Sequence, residues 1–452
     1  MLLTLVAWGG AASAASLPPD VAPYVQAALA LGRVHAVVVG VQDADSTALA
    51  AWGWRDAERQ DAVAVTDRFE VGSITKTFTA ALLADAVQRG EVAPDASLST
   101  WFDGAPEVTL AQLATHTSGL GRMPCTARGR SRDAHPYARW DAADLAWTLA
   151  HCPVERAPGA GWSYSNLGYA ALGGALAQAA GAPWSTLLQE RVLIPAGLQD
   201  GFVLGEPDPA RVVVGWDGAA FVAPWGFDAM APAGALRADV GALLAWGAMH
   251  QPGNHGAWAS IAAETTAVRA EVAPGRVGIG YAWFRYAEPA RDAFPAGPGV
   301  LTHSGGTGGF QSFVGLDEGR VVAVLVSGLG ADALGFHLLR PERAPLPTLP
   351  ERAPRDAGAL APYVGRWQID EGPVLTLRIE GDHLAARVPG QAWSALWPMG
   401  EHAFGWAGVE AHVRFDAPQD GIAAAGSFVQ GASHVLRRLG AAPRVVAPAD
   451  QR

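Results

Sequence analysis

The sequence predicts an α/β (α+β) fold, an antiparallel sheet flanked by helices with a helical region, joined to a small all-β barrel. Three observations carry this. Strand-like runs stand at both ends of the first 340 residues with helix-like runs between them. Five prolines then cluster at Pro341, Pro345, Pro347, Pro350 and Pro354, and short period-two runs follow. The expected boundaries are a leader over 1–14, a first domain over 15–340, a Pro-rich linker over 341–358, a barrel over 359–440 and a disordered tail over 441–452. Half of the 452 residues are hydrophobic, enough for a sizeable core.

Taken in order, Met1-Leu2-Leu3-Thr4-Leu5-Val6-Ala7-Trp8 and then Ala12-Ser13-Ala14-Ala15 read as a secretory signal with a small-residue cleavage site. No basic n-region precedes it, as expected if the true start lies upstream, and the expected location is periplasmic or secreted. Residues 34–41 read as a buried strand and 48–54 as its partner. Ile74, Phe78, Ala81, Leu82 and Ala86 recur at helical spacing, and Gly90 follows as a stop. Further helical stretches fill the middle. Residues 310–316 and 321–327 flank an Asp317-Glu318-Gly319 turn and read as an antiparallel hairpin. Beyond the linker, 374–379 and 383–388 flank a Gly381-Asp382 turn, and further strands are expected at 403–406, 409–415 and 434–439, together a barrel.

Composition excludes several functions. The net charge is −11 and no basic cluster occurs, whereas phosphate binding needs a basic patch, so nucleic acid is not an expected partner. The neighbourhood of Arg132 and Arg139 is too sparse to change this. No apolar run is long enough to span a bilayer. The histidines show no H-E-x-x-H or other metal spacing, so neither metal nor cofactor is predicted. No G-x-S-x-G occurs, which argues against an α/β-hydrolase. Cys125 and Cys152 stand 27 residues apart, compatible with a bridge in an oxidising compartment or with two buried thiols.

Lys76 is the only lysine, beside 31 arginines. Arginine keeps its proton in a protein, whereas a desolvated lysine can lose it. Lys76 follows Ser73 by three residues in Phe69-Glu70-Val71-Gly72-Ser73-Ile74-Thr75-Lys76, and residues three apart share a helix face. A serine hydroxyl becomes a nucleophile when a neighbouring base takes its proton. At the amino end of a helix, free N–H groups also favour negative charge. The spacing fits equally a serine that only caps the helix.

Two further motifs extend the pattern. Pro158-Gly159-Ala160-Gly161-Trp162-Ser163-Tyr164-Ser165-Asn166 contains Y-x-N ahead of a helical stretch, and His303-Ser304-Gly305 precedes the hairpin. With Ser73-x-x-Lys76, in this order, they resemble the serine β-lactamase and penicillin-binding-protein superfamily. The likeness is strongest to the branch of class C β-lactamases, D-Ala-D-Ala carboxypeptidases and related esterases. Leu113-Ala114-Thr115-His116-Thr117-Ser118-Gly119-Leu120 resembles that branch's L-x-T-H-T-S-G-L turn. Pro232-Ala233-Gly234-Ala235-Leu236 with Asp239-Val240 resembles its A-G-G-L…D-L segment. The resemblance covers roughly residues 20 to 335.

The resemblance implies a β-lactamase/transpeptidase-like fold and an acyl-Ser73 intermediate. Lys76 or Tyr164 would be the base, and the backbone N–H groups of Ser73 and Gly306 would form the oxyanion hole. Both candidate bases have ordinary pKa values of about 10, so either must be perturbed, and the sequence leaves the choice open. Asn166 is expected to hydrogen-bond both Lys76 and a substrate amide, with His303, Ser304 and Gly305 as substrate contacts. His303 departs from the family, since β-lactamases usually carry lysine there in a K-T-G triplet. A histidine is partly charged near neutrality, so its expected grip on a carboxylate weakens as pH rises.

The implied activity is hydrolysis of a small-molecule or peptide substrate. D-amino-acid peptidase or carboxypeptidase and esterase activity rank equally, with β-lactamase after them. A non-catalytic penicillin or peptidoglycan-fragment sensor, and a pseudoenzyme using its barrel as an interaction module, are the alternatives. His116 is expected as a satisfied structural histidine. Trp216, Trp225 and Phe227 are expected as cleft or core aromatics. The barrel, opening Tyr363-Val364-Gly365-Arg366-Trp367, resembles the lipocalin-like domain appended to some family members.

Overall fold

The computed structural model describes residues 16–125, 137, 140–205, 209–253, 256, 258–286, 299–351, 353–389, 391, 393–406, 411–430 and 432–440. The expected leader and tail, and Arg132 and Arg139, lie outside the described residues. The chain divides into two compact units, Met1–Val25 with Val34–Leu346, and Gln26–Arg33 with Pro347–Arg452.

The first unit is built on an eight-stranded antiparallel sheet. Its strands are β1 (Val34–Asp43), β2 (Ser46–Gly53), β3 (Ala270–Ala273), β4 (Val277–Ile279), β5 (Phe284–Tyr286), β6 (Leu301–Gly306), β7 (Phe310–Asp317) and β8 (Arg320–Gly328), in the order β2-β1-β8-β7-β6-β5-β4-β3. β1 is valine-rich and buried from Val34 through Val41, as suits a central strand covered on both faces. The expected hairpin is β7–β8. Glu318 and Gly319 turn it with φ of 44° and 90°, the left-handed pair that a two-residue hairpin loop requires.

Two helices position the site. The first, α1 (Thr75–Gln88), is buried on all sides, with every residue from Thr75 to Ala84 enclosed, rather than along the single stripe that Ile74, Phe78 and Leu82 suggest. Alanines at 80, 81, 84 and 86 let neighbouring elements approach closely, and Phe78 stacks on Trp246 with ring centres 3.9 Å apart. Its polar groups are paired: Thr77 Oγ1 accepts from Trp246 Nε1 at 2.8 Å and Thr79 Oγ1 donates to the Pro232 carbonyl at 2.8 Å. The second, α2 (Asn166–Ala180), is capped by Ser165, whose Oγ accepts from Gly168 N at 2.8 Å, and ends at Gly181 in the left-handed conformation.

A three-stranded ladder too short for a periodicity signal sets Phe69–Glu70 and Phe202–Val203 on either side of Arg237–Ala238. Cys125 and Cys152 form a disulfide with Cα atoms 5.7 Å apart.

The second unit contains a closed antiparallel barrel of eight strands: Gly365–Ile369, Val374–Glu380, His383–Arg387, Ser394–Pro398, Ala403–Trp406, His412–Phe415, Ala425–Gln430 and Ala432–Arg438. Each strand pairs with its neighbour in sequence, and the last closes on the first through Trp367↔Arg438. Alternating residues such as Trp367, Leu375, Leu377, Leu384, Leu396, Phe404, Val413 and Leu436 fill the interior. The strands at 365–369, 394–398 and 425–430 are additions to the expected set; AGSFVQ has little alternation to read. No helix among the described residues is long and apolar enough to cross a membrane.

Candidate active site

Ser73 lies in a single 3₁₀ turn, Gly72–Ile74, that runs into α1. The short ladder extends to this point, since Val71 N donates to the Leu236 carbonyl at 3.0 Å. Two glycines bring the turn against the end of β6. A Cβ on Gly305 would stand 1.9 Å from the Val71 carbonyl oxygen, and one on Gly72 would stand 2.7 Å from Gly306 N, at a φ of 48° that favours glycine. The serine turn and the Gly305–Gly306 end of β6 therefore converge because neither backbone carries a side chain at the crossing. Ser304 comes just before that crossing on β6.

Lys76 projects from the first turn of α1 and is fully buried. Its Nζ lies 3.0 Å from Ser73 Oγ and donates to the Ala233 carbonyl at 2.7 Å. The Tyr164 and Tyr169 rings stand 5.0 and 5.7 Å away. No described carboxylate pairs with it. Burial first, and the charge of Arg122 second, hold the amine well below the ordinary lysine range, which favours its free-base form.

Tyr164 lines the same cavity as Ser73. Desolvation drives its phenol well above the ordinary tyrosine range, against the opposing pull of Ser73 and Arg122, so it stays protonated. The two candidate bases are thus shifted in opposite directions, the amine down and the phenol up. His116 lies against the Tyr164 ring at 4.3 Å. Its Nδ1 accepts from Ser165 N at 3.1 Å, but its Nε2 is buried without a partner, so the expectation of a fully satisfied histidine does not hold.

Asn166 opens α2. Its Nδ2 donates to the Tyr137 hydroxyl at 2.8 Å, and its Oδ1 is buried without a partner. The expected Asn166–Lys76 hydrogen bond is therefore not made; Tyr137 and Ala233 take those places, leaving an open acceptor.

His303 is also corrected. It is 2% exposed, and its Nδ1 lies 2.7 Å from the Ser304 carbonyl, which accepts only, so Nδ1 carries the proton and Nε2 is left as a buried, unpartnered acceptor. Burial, with Lys76 adding to it, pushes its pKa down to about 3. A partly charged histidine near neutrality is not what this environment allows.

These groups face one cavity of about 800 Å³, lined by Ser73, Tyr164, Asn166 and the β6 run from Thr302 through Gly306. Trp225 lines it, held by a hydrogen bond from its N–H to Glu70 Oε1 at 2.9 Å. Trp216 packs on Phe221 instead, and Phe227 stacks against Tyr137. Lining residues that the sequence reading missed are Arg122, Met123, Tyr137, Trp162, Phe284 and Tyr286. Trp162 lies inside the quoted Y-x-N segment and Arg122 two residues past the Thr-His-Thr-Ser-Gly-Leu turn, so both were within reach. Tyr137 has no local signal.

The family model for Beta-lactamase matches residues 21–340. Esterase EstB of Burkholderia gladioli is 32% identical over 191 residues, covering 39% of this chain and 48% of that protein. The D-alanyl-D-alanine-carboxypeptidase/endopeptidase AmpH of Escherichia coli (strain K12) is 33% identical over 152 residues, 31% of this chain and 38% of that protein. The chain thus aligns with half or less of the length of these relatives. Among solved structures, the octameric penicillin-binding protein homologue from Pyrococcus abyssi superposes with a TM-score of 0.62 at 18% identity, over 92% of this chain and 99% of that one. A class C beta-lactamase superposes with a TM-score of 0.59 at 20% identity, over 70% of this chain and 93% of that one. At such identities these likenesses establish the fold.

Proposed function

The chain belongs to the β-lactamase family, and on that premise we propose that residues 15–340 form a serine acyl hydrolase that works through an acyl-Ser73 intermediate on peptide or ester substrates. One observation carries the reading: the lone lysine is fully buried, 3.0 Å from the serine hydroxyl, with burial holding its pKa well below the ordinary lysine range. Lys76 Nζ takes the Ser73 proton as Oγ attacks the carbonyl. The backbone N–H groups of Ser73 and Gly306 receive the oxyanion. Protonated Tyr164 gives its proton to the leaving oxygen or nitrogen and recovers one from Lys76, which returns to the free amine. Water then attacks the acyl-Ser73 ester, Lys76 accepts its proton and passes one to Ser73 Oγ as that oxygen leaves, which releases the acid and restores the starting state. The open acceptor Asn166 Oδ1 suits a substrate N–H, and Ser304 and Gly305 offer the strand edge along which a substrate extends.

Within that class, peptidase and esterase activity stand level, with names among the relatives for each, and β-lactamase activity is the alternative. The disulfide suits the expected export to an oxidising compartment. A screen of p-nitrophenyl esters, D-Ala-D-Ala peptides and nitrocefin tests the proposal. Turnover of at least one class, lost in Ser73→Ala, is expected. Acylation without turnover would instead identify a sensor, and activity surviving in Ser73→Ala would refute the role of the serine.

A further inference from the structure

Arg122 follows the turn that carries His116, and its guanidinium stands 5.0 Å from the centre of the Tyr164 ring, in the cavity that holds Ser73. Its backbone carbonyl accepts Asn166 N at 3.0 Å, tying it to the first residue of α2, while its side chain is exposed. Among the described residues no carboxylate pairs with Arg122, and no aspartate or glutamate lines the cavity. The walls beside it are aromatic: Tyr137, Trp162, Trp225, Phe284 and Tyr286. The β6 position from which a cation could have served the same cavity is His303, whose Nδ1 proton is committed to the Ser304 carbonyl and whose ring is buried.

Resting on the acyl-hydrolase reading, we infer that Arg122 is the specificity-determining residue of this cavity and that the preferred substrate is an ester or amide with an apolar body and a carboxylate. An unpaired guanidinium over an aromatic ring binds a carboxylate through charge-assisted, bidentate hydrogen bonds. The titratable groups that feel its charge are Lys76, His116, Tyr137 and Tyr164. Burial lowers the pKa of the first two and raises that of the two phenols. Glu155 approaches the neighbouring Gly121, and among the described residues no carboxylate pairs with the Arg122 guanidinium. Arginine itself does not titrate. The preference for acid substrates is therefore flat with pH, the opposite of a grip through a titrating histidine.

The test uses the full chain and two matched pairs. Mono-4-nitrophenyl glutarate against 4-nitrophenyl valerate places the carboxylate on the acyl side; 3-carboxyphenyl valerate against phenyl valerate places it on the leaving group. In one pair the acid:neutral ratio of kcat/KM is expected to exceed one. It should fall by about tenfold to hundredfold in Arg122→Gln, mostly through KM, be kept only in part in Arg122→Lys, which retains the charge but not the bidentate fork, and stay constant from pH 6 to 8.5. A ratio at or below one in both pairs, or one that Arg122→Gln leaves untouched, overturns the inference while turnover of the neutral esters leaves the acyl-hydrolase reading standing. Should no ester be hydrolysed, that reading fails on its own. Calorimetric titration of Ser73→Ala with 4-phenylbutyrate then decides the anion site: saturable binding lost on adding Arg122→Gln supports it, and no binding overturns it.

Discussion

The amine of Lys76 has a carbonyl and a serine hydroxyl for company, no described counter-ion, and no water-exposed surface, so charging it costs solvation that nothing returns. The test that sequence spacing alone suggests, Lys76→Arg, would force an obligate cation into this slot and confound loss of the base with loss of the fold. Lys76→Met is the cleaner variant, because it keeps an unbranched chain of similar size. It should lower the acylation rate by about 10²–10⁴-fold while the circular dichroism spectrum is retained. In the wild type, kcat/KM should rise with pH as the amine loses its proton and then level off. Since burial lowers that pKa, the plateau is reached well below pH 10; an ascending limb centred at about 10 would mean that an ordinary lysine or tyrosine governs the rate. The Ser73, Lys76 and Tyr164 grouping was legible from spacing and motif order. The charge state of His303 was not, because it depends on burial against Phe284 and on the electrostatic effect of Lys76, which no local pattern encodes.

The Ser73 turn and the β6 edge meet because two elements more than 200 residues apart cross where both are glycine. Sequence pattern marks the glycines at 305, 306, 308 and 309 as a place for close approach, but not that the approaching partner is the chain's own Val71–Gly72 segment. Gly305→Ala is expected to destabilise by roughly 1–3 kcal/mol, since its Cβ would press on the Val71 carbonyl and the backbone must shift. The same shift should move Gly306 N away from Ser73 and reduce kcat more than KM. Urea unfolding and steady-state kinetics on one preparation check both; a variant of unchanged stability would mean that the crossing is looser than described. Long elements, such as the β7–β8 hairpin and α1, announced themselves through alternation and helical spacing. Two-residue ladders such as Phe69–Glu70 against Arg237–Ala238 carry no period at all, although they fix where Ser73 stands.

At the scale of the whole molecule, the first unit's sheet and the closed eight-stranded barrel were legible because strand runs, turns and the proline cluster recur at readable intervals. Barrel strands lacking alternation, such as Ala425–Gln430, are recruited by closure, since a sheet with an unpaired edge gains hydrogen bonds by taking a weak strand. The proposed function requires that, of the 18 serines in the chain, Ser73 alone is activated. Intact-protein and peptide mass spectrometry after treatment with a serine-reactive phosphonate tests this most directly. One adduct per chain on the peptide containing Ser73, absent from Ser73→Ala and strongly slowed in Lys76→Met, is the predicted result. An adduct on another serine, or undiminished labelling of Ser73→Ala, would contradict it.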